Sequence, residues 1–60
     1  MSTVYNPEAD TIEQIERLEL EARDLRRKIE RAKHEQDRRA LNKLLNDVCD
    51  EITHLQARLP

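Results

Sequence analysis

The side chains able to do chemistry in this chain are few, and they do not converge. There is one cysteine, Cys49, and there are two histidines, His34 and His54, among 13 acidic and 11 basic residues. A reactive thiolate needs a basic neighbour to depress its pKa. The positions at helical-neighbour spacing from Cys49 hold Asn42, Leu45, Asn46, Ile52 and Thr53, none of them basic. Cys49 therefore reads as a small packing side chain. His34 and His54 lie in different segments, without the cysteine or carboxylate spacing that encloses a metal, and read as exposed polar residues. The carboxylates accompany no Gly-rich loop and no nucleophile motif. No enzymatic activity, cofactor or metal is expected.

The remaining chemistry is ionic, and it is segregated along the chain. Glu8 to Asp24 carries seven acids and two bases, net −5. Leu25 to Lys43 carries eight bases against three acids, net +5, and Arg27, Lys28, Arg31, Arg38 and Arg39 are its core. From Leu44 onwards, three acids against Arg58 give −2. A basic cluster can engage phosphates or an acidic protein surface. It can equally be a solvated face whose charge steers association with an oppositely charged end. The net charge of −2, and the absence of any aromatic among the bases to stack on a nucleobase, favour the second reading. Nucleic acid remains the alternative partner, and its binding would rest on electrostatics and weaken steeply with salt. Acids interrupt Lys28–Lys43 too often for a nuclear localisation run.

The elements that position these residues follow from the apolar pattern. Ile15, Leu18, Ala22, Leu25, Ile29 and Ala32 repeat at alternating spacings of 3 and 4. Leu41, Leu45, Val48, Ile52, Leu55 and Leu59 repeat at 4 and 3. Paired outwards from the gap, 32 with 41 through to 15 with 59, the residue numbers always sum to 73 or 74. Such a mirror predicts a chain that folds back near Gln36–Asp37 and zips two helices antiparallel. The fold class expected is all-α, an antiparallel helical hairpin (a two-helix coiled coil) pairing into a four-helix bundle. The alternative is one continuous coiled-coil helix of about fifty residues, about 75 Å long. No Gly or Pro marks the gap, and Glu35 and Arg39 would pair if the helix ran on.

Residues 1–5 are expected to form a flexible tail, and residues 6–60 a single domain. Helix 1 is expected over about 7–33, a turn over 34–37, and helix 2 over about 38–59. Asn6 before Pro7 is a capping residue before a favoured first helical position. Asp10-Thr11-Ile12-Glu13 offers a second start, and Asp37 can cap helix 2. Glu13–Arg17, Glu19–Arg23 and Asp24–Lys28 are acid-then-base pairs four apart. In the mirrored alignment Glu21 falls near Glu51, a like-charge contact that costs stability.

Composition bounds the rest. The chain has 60 residues, no Gly, 40% charged residues and a single aromatic. That is the make-up of long helices or a coiled coil. No apolar run exceeds two residues, so neither a membrane span nor a secretory segment is expected. The seam is too narrow, and lacks the Trp or Phe, for a membrane-surface helix. A lone cysteine suits a reducing compartment, and the cytoplasm is the expected location. So small a scaffold, without disulfide or metal, calls for self-association or a partner to complete its core.

The expected function is a non-enzymatic protein–protein interaction module, such as a small regulator, inhibitor or assembly adaptor. Its partner-binding face would lie on helix 2 around Leu44, Val48, Cys49 and Ile52, with the basic tip as the alternative site. A purely structural oligomerisation element is the third reading. In shape alone, the expected architecture resembles the small RNA-binding hairpin dimers of plasmid copy-number control. This chain has no phenylalanine, the aromatic that family presents to RNA, and shape alone does not transfer function.

Overall fold

The computed structural model describes residues 6–60. The expected tail, residues 1–5, lies outside the described residues. Two α-helices, α1 over Pro7–Arg31 and α2 over Glu35–Gln56, pack against each other. No strand occurs among the described residues. Pro7, Glu8 and Thr11 from the start of α1 share a surface depression with Arg58 and Leu59, so the start of α1 neighbours the residues that follow α2. The chain doubles back as a hairpin, and the continuous rod is excluded.

α1 begins where its capping chemistry dictates. The Asn6 side-chain oxygen accepts from the backbone N–H groups of Glu8 and Ala9 at 3.0 and 3.3 Å. It thereby satisfies two donors that a helix start leaves without partners. The second possible start is absorbed into the helix, where the Thr11 hydroxyl donates to the Pro7 carbonyl at 2.8 Å. The first turn is acidic, with Glu8 and Asp10, and the last is basic, with Lys28 and Arg31, which suits the helix dipole.

The turn lies earlier than the sequence predicts. α1 stops at Arg31, and α2 begins at Glu35 rather than 38. His34, not Asp37, is the N-cap residue, and its side chain makes no capping bond. Electrostatics explain the shift. Glu35 and Asp37 both fall in the first turn of α2, where negative charge is favoured. Glu35 also accepts from Arg39 at 3.1 Å, one turn on. Ala32 (φ −68°, ψ 127°) and His34 (φ −101°, ψ 136°) are simply extended, and no described residue has positive φ. A break made by ordinary extended residues needs neither Gly nor Pro.

α2 also ends earlier than expected, at Gln56 rather than 59. Arg58 and Leu59 donate to the carbonyls of Leu55 and Gln56, both at 3.1 Å, a tightened final turn. Pro60 disfavours helical backbone at the residue before it, so the helix unwinds over Leu59.

The core is the mirrored seam. Ile15, Ala22, Leu25, Val48 and Leu55 are buried, and the other seven seam residues are half-buried. Beyond those twelve, only Thr11 and Cys49 are less than fully exposed among the described residues. Ala22, Leu25 and Val48 form the centre, with Leu18, Leu41, Leu45 and Ile52 packed around them. No described side chain is sealed completely from solvent, the deepest being Ala22 at 2% exposure. A two-helix layer has only one inward direction, so each seam residue keeps an edge in water.

Candidate functional site: the flanks of the seam and the basic tip

In heptad terms Ile15, Ala22 and Ile29 occupy a positions of α1, and Leu18, Leu25 and Ala32 occupy d. On α2, Leu45, Ile52 and Leu59 are a, and Leu41, Val48 and Leu55 are d. The positions beside the seam, e on one side and g on the other, define two flanks. In an antiparallel pair, e positions of the two helices share one flank and g positions the other.

The structure bears this division out. Glu19, Arg23 and Arg26 of α1 gather with Cys49 and Thr53 of α2 around a shallow depression of about 400 Å³, floored by Ala22 and Ile52. Gln14, Arg17 and Glu21 of α1 gather with Glu51 of α2 on the other flank. The four helix-2 residues expected to make one face are therefore divided. Val48 is in the centre of the seam. Cys49 and Ile52 are together on the first flank, both half-buried. Leu44 holds a g position on the second flank and is 52% exposed. The mirrored numbering places it level with Lys28, and Arg31 follows one turn further on.

Two exposed apolar residues carried no weight in the sequence reading. Ile12, 45% exposed, is an e position on the Cys49 flank, and Leu20, 60% exposed, is on the outer surface of α1. The signal for Ile12 was its place one turn before Ile15, just off the seam. With Leu44, these three lie on three different sides, so they form no continuous apolar patch.

The basic tip is open to solvent. Arg27, Lys28, Arg31, Arg38 and Arg39 are all exposed. Arg39 is bridged to Glu35 at 3.1 Å, and the other four belong to no salt bridge among the described residues. On the acidic half, Glu13 bridges Arg17 at 3.0 Å. The expected Glu19–Arg23 and Asp24–Lys28 bridges do not form. Those side chains are exposed, and a surface pair gains too little to hold two long side chains in one geometry. Glu21 and Glu51 do share a flank, as the mirrored alignment requires. Arg17, bridged to Glu13, lies in the same depression.

His34 and His54 are exposed. Among the described residues, no group of three His, Cys, Asp or Glu side chains is placed to hold a metal. Among the described residues, no helix is long and apolar enough to cross a membrane. The depressions are open grooves on convex helices, and none encloses a small molecule in the way a ligand pocket does. No known protein family matches the chain, and no curated protein or solved structure shows significant similarity to it.

Proposed function

We propose that this chain is a non-enzymatic protein–protein interaction module, a small regulator, inhibitor or assembly adaptor that works by presenting a helical face. The observation that carries this reading is the thinness of the core. Among the described residues five are buried, and a one-layer seam leaves both flanks open, with the basic side chains of the tip exposed and Cys49 half-buried at the edge of an open groove. Such a hairpin gains most by being covered. Pairing into a four-helix bundle belongs to the same reading, since a second layer supplies the missing inward direction. The partner-facing residue is Leu44, an exposed leucine level with Lys28 and near Arg31. That combination suits a protein surface with an apolar recess and an acidic rim.

The test is a tagged pull-down from host lysate, split into nuclease-treated and untreated halves, with wild-type and Leu44→Asp proteins compared. A protein partner that survives nuclease and is lost with Leu44→Asp supports the reading. Exposed as Leu44 is, the substitution leaves the fold intact, as helical circular dichroism will show. Recovery of nucleic acid, or of partners lost with nuclease, overturns it. An assembly holding no other component would leave a structural oligomerisation element.

A nucleic-acid-binding hairpin is the second reading, favoured by the four exposed bases outside any salt bridge at the tip. It requires that Arg38→Glu with Arg39→Glu abolish binding, and that affinity fall steeply between low and physiological salt.

A further inference from the structure

The two flanks of the seam differ in a way that selects an occupant for one of them. On the Cys49 flank, the e and b positions of α2 begin with Glu35 and Arg39, bridged to each other, and continue as Asn42, Asn46, Cys49, Thr53 and Gln56, a strip without charge from residue 42 to the end of the helix. The same positions of α1 hold Ala9 and Ile12 in its first turns and charged residues beyond them. Glu16 and Glu19 lie towards the start of α1, Arg23 at its middle, and Arg26 and Lys33 towards the turn, with Glu30 set against the order. On the other flank it is α2 that differs. There α2 carries Asp37, Asp47, Glu51 and Arg58, while α1 is sorted much as on the Cys49 flank, with Asp10, Glu21 and Asp24 ahead of Lys28 and Arg31 and Arg17 the exception.

We propose that a second copy of this chain packs antiparallel on the Cys49 flank, about a two-fold axis that passes beside Cys49. The inference rests on the reading of the hairpin as an interaction module, and names the partner for one of its faces. The position of the axis comes from the mirrored seam. Three apolar pairs, 32/41, 29/45 and 25/48, lie on the turn side of the hairpin's midpoint, and 22/52, 18/55 and 15/59 lie on the other. The midpoint falls between residues 48 and 52 of α2, beside Cys49. Two copies stacked antiparallel over their full length put α1 across from α1 and α2 across from α2. A residue at the midpoint then faces its own copy, and Cys49 meets Cys49.

Charge and area agree with that arrangement. Glu19 and Arg26 flank the midpoint of α1 on opposite sides, so the Glu19 of each copy approaches the Arg26 of the other, twice per dimer. The basic turn end of each copy overlies the acidic chain ends of its partner. A parallel stack would instead set turn on turn, bases against bases. At 1.5 Å per residue the helices are about 37 and 33 Å long, and two side by side are about 20 Å wide. The face they offer is on the order of 700 Å², close to the ~800 Å² per partner of a stable interface. Ile12, Cys49 and the open edge of Ile52 are the apolar groups it would cover. One local conflict remains: Arg23 also lies at the midpoint and meets its own copy.

The test combines sedimentation equilibrium with cross-linking by a short bis-maleimide. The wild-type protein is expected to be a dimer that cross-links through Cys49. Glu51→Cys in a Cys49→Ala background, near the midpoint of the opposite flank, should not cross-link. Glu19→Arg and Arg26→Glu should each raise the dimer Kd about tenfold, and the double reversal should restore it. A chain that is monomeric at every concentration overturns the proposal, yet leaves the module reading standing if another protein is bound. A dimer that cross-links at position 51 and not at 49 overturns it, as does a double reversal that fails to restore association.

Discussion

At the residue scale, the deepest position is one of the two alanines of the seam. Ala22 is 2% exposed in the centre of the seam, where its size lets the helices approach beneath Ile52. Ala22→Leu should therefore destabilise the hairpin by about 1–3 kcal/mol through overpacking, although leucine is the better match to the rest of the seam. Leu25→Ala should cost about 2–3 kcal/mol, near the low end for such truncations, because a one-layer core can close around the gap. Leu20→Gln, on the outer surface, should stay within about 0.5 kcal/mol of the wild type. Urea unfolding followed by the helical circular dichroism signal would rank the three. All twelve seam residues could be read from the sequence, since only the apolar period is needed to find them. The sorting of Leu44 and Cys49 to opposite flanks was also readable. Their depth was not, because it depends on whether a second layer covers each flank.

At the scale of elements, the helices were legible and their ends were less so. The expected cap at Asn6 forms, because one side chain and two nearby donors decide it. The expected cap at Asp37 does not, because Glu35 and Asp37 gain more as acids in the first helical turn. His34 is left as an N-cap residue without a capping bond. His34→Asp should add about 0.5–1 kcal/mol, seen as a rise in the thermal midpoint, by supplying the missing acceptor. A destabilised His34→Asp variant would mean that α2 starts elsewhere. The fold-back itself can be trapped. Cysteines at Ile15 and Leu59, in a Cys49→Ala background, should oxidise to a bridge within one chain. Bridges only between chains, at dilutions where the protein is monomeric, would contradict the hairpin.

The described residues form a charged layer two helices wide, positive at the turn and negative where the start of α1 meets the end of α2. Its seam holds the helices together, and its surface holds everything else it can do. The proposal that such a layer is completed by a second copy makes stability depend on concentration. It also makes Arg23→Gln stabilising for the dimer, since that change removes a like-charge contact at the axis while leaving the monomer's seam untouched. Salt should weaken the dimer, because the exposed Glu19–Arg26 attraction between copies is screened. The measurement that bears most directly on the account is the thermal midpoint of the wild-type protein across a thousandfold range of concentration, with sedimentation equilibrium on the same samples. A midpoint that climbs with concentration as monomer gives way to dimer is the predicted result. A midpoint that stays fixed, in a chain that sediments as a monomer throughout, would show that the single layer is complete in itself.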